Sequence, residues 1–354
     1  MKIAIIGGGV MGCATALALA KRGADAIVLE RAVPGAEASS AAAGILGAQA
    51  ELHGRRDDDA DLFTRARAAW EPWARELREA TGIDVGYRAS GVLRVALTEA
   101  ERDELDRDVT WQKARGLRAS LLNASAAREV EPELARGVIA AAHFPGDAQV
   151  DPPALLRALV AAAAREPRVT LRSGATVQGI FVDDERCAGV RLDGDVLHAD
   201  ATVLAAGSWS SLVPGVPASL PAVRPVRGQL IMLEERPPRV RTIVFGGGTY
   251  VVPRGDGRVV CGSTMELAGF RKEVTAGGIH SILGGALSCV PSLEAAQFAS
   301  AWSNFRPRVE GPAGPAPLIG ASPLEGLFLA TGHHRNGILL SKLTADTVAT
   351  AILG

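Results

Sequence analysis

"MKIAIIGGGVMGCATALALAKRGADAIVLE", residues 1–30, decides how the chain folds. Lys2 to Ile6 reads as a buried strand, the glycines at 7 to 9 as a tight turn, Val10 to Lys21 as a helix and Ala26 to Glu30 as a second strand. A lysine followed by an apolar run also suits an export signal, but the three glycines break that run. A β-turn-α-β unit implies a parallel sheet with a right-handed crossover. Within it stands Gly7-x-Gly9-x-x-Gly12, set between strand and helix as a dinucleotide fingerprint requires. Gly7 permits the turn, Gly9 lets backbone approach a pyrophosphate, and Gly12 lets helix and strand pack closely. Glu30, at the tip of the second strand, is placed to accept hydrogen bonds from ribose hydroxyls and would repel a 2′-phosphate, which disfavours NADP.

Composition bounds the rest. The chain has 354 residues, 47% of them hydrophobic and 22% charged, with a net charge of −1. That is the profile of a globular protein too long for one comfortable core, so two packed domains are expected. Basic residues number 38, only five of them lysine, and the arginines occur throughout, which excludes a nucleic-acid-binding face. Cys13, Cys187, Cys261 and Cys289 form no CxxC pair, so neither zinc nor a disulfide framework is signalled and a reducing cytoplasm fits. His53, His143, His198 and His280 are isolated and His333 and His334 adjacent, which makes no metal set. No run of about twenty apolar residues suggests a transmembrane helix.

Farther along, residues 61–80 and 98–116 read as charged amphipathic helices with a strand, "GVLRVAL", between them. Trp70 and Trp73 are expected as core or interface anchors, and "RRDDD" at 55–59 as a solvated loop. A second run follows: helix "DPPALLRALVAAAAR", then strands "VTLRS", "TVQGIFVDD", "CAGVRL" and "ADATVLAAGS". Residues 222–264 hold short alternating strands broken by Gly and Pro, a mostly antiparallel sheet. "EGPAGPAPLIGASP" at 310–323 reads as a loop. The chain is thus expected to cross between domains more than once, with 1–85, 140–220 and 305–354 in a cofactor-binding domain and 86–139 and 221–304 in a substrate-binding one.

Only one dinucleotide fingerprint is present, since "GGGTY" at 246 and "AGGIH" at 276 lack the strand-turn-helix setting. The small-residue stretch "SSAAAGILG", Ser39 to Gly47, suits close passage of a flat ring, and "ADATVLAAGSWS" resembles the late strand-and-glycine element of FAD proteins of the glutathione-reductase superfamily. One FAD with no nicotinamide site is the economical reading. Near the C-terminal end, "ATGHHRNGIL" (330–339) joins the strand "GLFLA" to a helix beginning at "ILLSKL". Backbone N–H groups at such a junction attract negative charge.

Taken together, "IIGGGVMG", "SSAAAGILGAQAE", "VLAAGSWS", "TYVVPRGDGRVVCGSTM", "SNFRPRVEG" and "ATGHHRNGILL" resemble the D-amino-acid-oxidase superfamily, and within it the glycine oxidase branch. The matches run from residue 3 to about residue 345. The resemblance implies an α/β chain of α+β two-domain type, a glutathione-reductase-type FAD-binding Rossmann domain plus an antiparallel-sheet substrate domain. It implies oxidation of the amine of a small amino acid (glycine, sarcosine or D-alanine), with hydride passing from the α carbon to flavin N5. The products would be an imine, then glyoxylate and ammonia, with dioxygen reduced to hydrogen peroxide, and the imine would serve the thiamin thiazole.

Residue by residue, the resemblance makes Arg306 the carboxylate-binding arginine, Tyr250 a second hydrogen-bond donor to that carboxylate, and Arg335 a neighbour of substrate and flavin edge. Cofactor contacts are expected from Gly7, Gly9, Val10, Met11, Gly12, Glu30, Arg31, Ser39, Ser40, Ala43, Gly44, Ile45, Val177, Ala206, Gly207, Trp209 and Met265, and from His334, Arg335, Asn336, Gly337, Ile338 and Leu339. His333 and His334 are expected to act as spacers or hydrogen bonders. No cysteine lies between Arg306 and Ile319, so the FAD is expected to be non-covalent. The chain departs from the family at "VFGGG" before Tyr250 and at Ser341 and Lys342 after "GILL". The rival readings are a D-amino-acid or sarcosine oxidase, a dehydrogenase with another electron acceptor, and a non-catalytic flavin-binding subunit; a homo-oligomer is compatible with each.

Overall fold

The structure is a computed structural model that describes residues 1–52, 57–311 and 316–354. The chain opens with β1 (Lys2–Ile6), α1 (Val10–Lys21) and β2 (Asp25–Glu30), followed by β3 (Ile45–Leu46), α2 (Asp57–Ala68) and α3 (Trp70–Thr81). It continues through β4 (Val92–Ala96), α4 (Glu99–Lys113), β5 (Ser120–Asn123), α5 (Ala124–Val130), β6 (Ala140–Phe144) and β7 (Ala148–Gln149). Next come α6 (Pro152–Arg165), β8 (Val169–Ser173), β9 (Gly179–Asp183), β10 (Arg186–Leu192), β11 (Asp195–His198) and β12 (Ala201–Leu204). The long β13 (Val223–Glu234), then β14 (Ile243–Gly246), β15 (Thr249–Pro253), β16 (Arg258–Gly262), α7 (Ala276–Cys289) and β17 (Gln297–Val309) lead to the closing β18 (Leu318–Ala321), β19 (Leu327–Thr331) and α8 (Gly337–Leu353).

Six strands form one sheet in the order β18-β19-β12-β1-β2-β8, parallel except for the edge strand β18. Along β1 the side chains alternate between two cores. Ile3 and Ile5 join Leu19, Trp70, Leu155 and Leu340 from the helical layer, while Ala4 and Ile6 join Ile180, Val190 and Leu197 from the three-stranded meander β9–β11. A strand covered on both faces must be apolar throughout, which is why "IAII" contains no polar residue.

Eight strands form the other large sheet, in the order β17-β13-β16-β15-β14-β4-β6-β5. It is antiparallel apart from the β14–β4 pair. Its alternation also separates two faces. Leu93, Ile231, Val251 and Cys261 pack beneath α7, whereas Leu230, Tyr250, Val252 and Val260 share the opposite face with Ala43 and Ala50 of the loops that lead from the first sheet. Tyr250 is therefore turned towards the six-stranded half.

Several expectations need correction. The single helix expected at 61–80 is two, α2 and α3, meeting at Ala69 so that Trp70 can bury itself fully and donate its indole N–H to the Leu339 carbonyl at 2.9 Å. Asp57 to Asp59 form the first turn of α2, where carboxylates favour the positive end of the helix dipole, while Arg55 and Arg56 lie outside the described residues. Residues 318–321, expected within a loop, form β18, an edge strand paired with β19, and 312–315 lie outside the described residues. Residues 140–144, expected in the cofactor half, hydrogen-bond into the eight-stranded sheet as β6, and β17 runs past the expected boundary at 305 in the same sheet. Among the described residues no helix is long and apolar enough to cross a membrane.

Candidate active site

The β1–α1 turn is shaped by the absence of two side chains. A Cβ on Gly7, whose φ is +106°, would lie 2.5 Å from the Ala205 carbonyl oxygen. One on Gly12 would lie 1.9 Å from the Gly7 carbonyl oxygen, so α1 could not sit this close to β1. Glu30 fastens the turn: its carboxylate accepts the Gly8 N–H and the Ala32 N–H, each at 2.9 Å. Cys13 beneath it bonds to the Gly8 carbonyl oxygen at 3.4 Å. Burial, followed by the nearby Glu30 charge, pushes that thiol up to about 12, so it packs as an inert apolar group.

A single cleft of ≈ 390 Å³ runs from this turn to the eight-stranded sheet. Its wall contains Gly7, Gly9, Val10, Met11, Glu30, Arg31, Ser39, Ala43, Gly44, Ile45, Val177, Ala206, Gly207 and Trp209, and at its far end Tyr250, Arg306, His334, Arg335, Asn336, Gly337 and Ile338. Four expected residues are off the wall. Gly12 acts one layer below, Ser40 turns to the Glu37 carbonyl oxygen, Leu339 is buried with its carbonyl held by Trp70, and Met265 is more than half exposed. Met265 is carried outward because its neighbour Glu266 reaches back to the Arg227 guanidinium.

Two helix N-termini open onto the cleft. At α1 the Val10 N–H is met by Ser39 Oγ at 3.0 Å, and at α8 Asn336 gives no side-chain cap, while Gly337 and Ile338 of the first turn line the cleft. A dinucleotide has negative charge at its pyrophosphate, and a reduced isoalloxazine has it at its N1–C2=O end; the two helix ends suit those two demands. Arg31 lies over the Trp209 ring at 4.1 Å, and Trp209 stacks on Phe270 at 5.2 Å, which ties the 263–275 segment to the cleft. Lys272 of that segment pairs with Glu37.

At the far end, alternation along two paired strands shapes the wall of the cleft. Arg306 of β17 stands opposite Val226 of β13, and two residues along on the same face is Gly228. A Cβ on Gly228 would lie 2.1 Å from Arg306 Nη1, so this glycine leaves the space that the guanidinium fills. Arg306 donates to Ser263 Oγ at 2.5 Å and to the Thr264 carbonyl oxygen at 3.2 Å. Both acceptors are neutral, and among the described residues no carboxylate pairs with Arg306. A half-buried guanidinium left with its charge uncompensated is a receptor for an anion. Tyr250 is 8% exposed, with its hydroxyl 2.9 Å from where a Gly262 Cβ would stand.

Arg335 behaves differently. Its Nε and Nη2 grip Glu51 in a two-bond fork of 2.9 and 2.8 Å, and the Glu51 charge holds the guanidinium above its ordinary range. Glu51 itself is positioned from below. Fully buried Asp147 accepts the Gln49 and Ala50 N–H groups at 3.1 and 2.8 Å and an Arg67 Nη1 bond of 3.0 Å, while Gln112 donates to the Gln49 carbonyl oxygen at 3.1 Å. Burial pushes the Asp147 carboxyl up to about 6, against the pull of the Ala50 amide and Arg67. Sequence reasoning missed Glu51, Gly228, Ser263 and Asp147. Glu51 and Ser263 stand inside stretches that carry the family resemblance, "SSAAAGILGAQAE" and "TYVVPRGDGRVVCGSTM", but in no chemical pattern that singles them out, and the Gly in "VRGQLI" is an unexpected gap in a strand.

The two histidines divide the roles expected of them. His333 is buried against α8 with Nε2 3.0 Å from Thr344 Oγ1, and burial lowers it to about 3. His334, in the left-handed region at φ +49°, has a buried Nε2 without a partner. Burial, then the positive charges of Arg306, Arg335 and Arg308, lower it to about 4. It is a neutral imidazole on the wall of the cleft, with hydrogen-bonding capacity left over for a bound molecule. Among the described residues no cluster of side chains could hold a metal ion.

Residues 2–351 match the profile of the DAO family, described as FAD dependent oxidoreductase. A glycine oxidase of Geobacillus kaustophilus is 38% identical over 99% of this chain and 92% of its own length, and the crystal structure of glycine oxidase from that organism superimposes with a TM-score of 0.92 over 99% of this chain and 94% of that one. A bifunctional ThiO/ThiG protein of Nostoc is 35% identical over 99% of this chain, which spans 52% of that longer protein. With sequence and backbone in agreement from one end to the other, the chain belongs to the DAO family of FAD-dependent oxidoreductases.

Proposed function

We propose that the chain is an amino acid oxidase that acts on glycine, and on small relatives such as sarcosine and D-alanine, with FAD held non-covalently. The observation that carries the reading is Arg306: a guanidinium at the end of the cleft, on a wall it shares with Tyr250, that pairs with no carboxylate among the described residues and can hold the carboxylate of a zwitterion. The cleft also suits the cofactor, with Gly7, Gly9, Ser39, Glu30 and Trp209 along the dinucleotide half and His334 to Ile338 along the ring half. All four cysteines are buried and none is on its wall, which supports a dissociable flavin.

Bound FAD supplies a two-electron acceptor that dioxygen restores with release of hydrogen peroxide. What the protein contributes is orientation. Arg306 and Tyr250 would fix the carboxylate, which leaves the amine and the α carbon to be aligned by the pocket walls. His334, neutral across the physiological range, adds no positive charge beside the amine. The imine leaves for hydrolysis to glyoxylate and ammonia or for a thiazole-forming step, a role favoured by the ThiO/ThiG name of the Nostoc relative. A cytoplasmic location, suggested by the scattered free cysteines, self-association and a two-domain division into cofactor and substrate halves belong to the same proposal.

The test is anaerobic mixing of the yellow holoprotein with glycine, sarcosine, D-alanine and D-proline. Bleaching of the flavin band by glycine, with stoichiometric peroxide once air is admitted, is the expected result. Bleaching without peroxide would point to a dehydrogenase, and no bleaching by any of the four would leave a flavin-binding protein without this activity.

A further inference from the structure

The cleft presents two guanidinium groups of unequal availability. Among the described residues Arg306 bonds only to neutral oxygens, whereas the Nε–Nη2 edge of Arg335 is taken by Glu51. The Glu51 side chain is only 10% exposed, and its backbone is anchored, because Asp147 holds the amides of the two residues before it. An amine with one carboxylate needs one open guanidinium. An amine with two would bring its second carboxylate towards Glu51, a like charge in a partly desolvated pocket, and would find the fork of Arg335 already engaged.

We propose that Glu51 is a specificity-determining residue: by occupying Arg335 it restricts the site to amino acids that carry a single carboxylate. The inference rests on the amino acid oxidase reading above and deepens it to a substrate class. Removal of the Glu51 charge would turn Arg335 into a second carboxylate receptor, suited by its planar fork to two parallel hydrogen bonds. The natural probe is iminodiacetate, which is glycine with one further carboxymethyl group on nitrogen.

The experiment compares holoenzyme of wild type, Glu51→Gln and the double variant Glu51→Gln/Arg335→Gln. For each, kcat/KM is measured for glycine and iminodiacetate, and the ratio of the two is the readout, since a general loss of activity moves both together. The ratio of iminodiacetate to glycine is expected to rise about tenfold in Glu51→Gln, equivalent to about 1.4 kcal/mol, and to fall back in the double variant. A rise below about threefold, or one that survives loss of Arg335, overturns the proposal. Calorimetric titration of the same proteins with malonate and acetate gives the corresponding affinity ratio without turnover, with the same expectation and the same threshold. A wild type inert towards every monocarboxylic amine would sink the proposed activity, and the malonate-to-acetate ratio would still decide the role of Glu51.

Discussion

Gly228→Ala is the substitution that most directly examines the substrate end of the cleft. The added methyl would stand 2.1 Å from Arg306 Nη1 and 2.6 Å from both Cζ and Nη2, whereas ordinary contact begins at 3.4 Å. The guanidinium must withdraw by about 1.3 Å to restore that contact. What gives way is the far end of a flexible side chain, so the fold should tolerate the change. A carboxylate placed for bonds of about 2.8 Å would then sit beyond hydrogen-bonding reach of at least one guanidinium nitrogen. Loss of one to two charge-assisted bonds, about 1.5–3 kcal/mol each, corresponds to a fall in kcat/KM for glycine of roughly 10- to 100-fold or more. On the proposed function the carboxylate would be gripped in both ground and transition state, so most of the loss should appear in KM. Steady-state peroxide assays give those constants, and flavin content and thermal midpoint should stay close to wild type. A variant with wild-type KM would refute the placement of the carboxylate on Arg306; so would an equal effect of Gly228→Ala in an Arg306→Gln background, where no guanidinium remains to displace.

Further expectations follow from other parts of the structure. Gly12→Ala sets a methyl 1.9 Å from a backbone oxygen, which cannot swing aside, so α1 must lift from β1; a loss of about 1–3 kcal/mol in stability and failure to retain FAD through gel filtration are expected. Trp70→Phe leaves the Leu339 carbonyl without its indole donor and should cost about 1–2 kcal/mol in urea titration with an unchanged glycine KM. His334 is lowered in the folded state, so the fold binds fewer protons there than the unfolded chain, and its contribution is present above pH 6.5 and lost as pH falls towards about 4. Roughly 2–3 kcal/mol should disappear through this group between pH 7 and pH 4.5, and His334→Gln should flatten the profile by that amount. Asp147, raised to about 6, works in the opposite sense over pH 4 to 6, which is why the single variant and not the wild-type curve is the measurement.

The dinucleotide half was legible because its determinants are local. Strand, turn and helix between Lys2 and Lys21 fall where period and glycines place them, since a strand covered on both faces and a helix packed by Gly12 leave little freedom to composition. The reading was weaker where distant contacts overrule local preference. Helix α7 contains Gly277, Gly278, Gly284 and Gly285, poor helix formers, yet it forms because Ile282, Ala286 and Cys289 cover one face of the eight-stranded sheet. Two of those glycines are required by approach: a Cβ on Gly278 would meet Gln229 at 2.4 Å and one on Gly285 the Gly247 carbonyl oxygen at 2.5 Å. The motif around Arg335 showed that an arginine would reach the cleft. That a glutamate 284 positions earlier would claim it was visible only in three dimensions.

Asp147 gives the pocket a fixed abutment. Its carboxylate meets two backbone amides and one guanidinium in a place without solvent, so shifting the Gln49–Ala50 backbone would strand those donors and a charge together, at a cost of several kcal/mol. Thermal motion that admits a zwitterion or lets an imine escape must therefore come from other walls of the cleft. The Gln49–Ala50 backbone is expected to hold its place while small molecules pass.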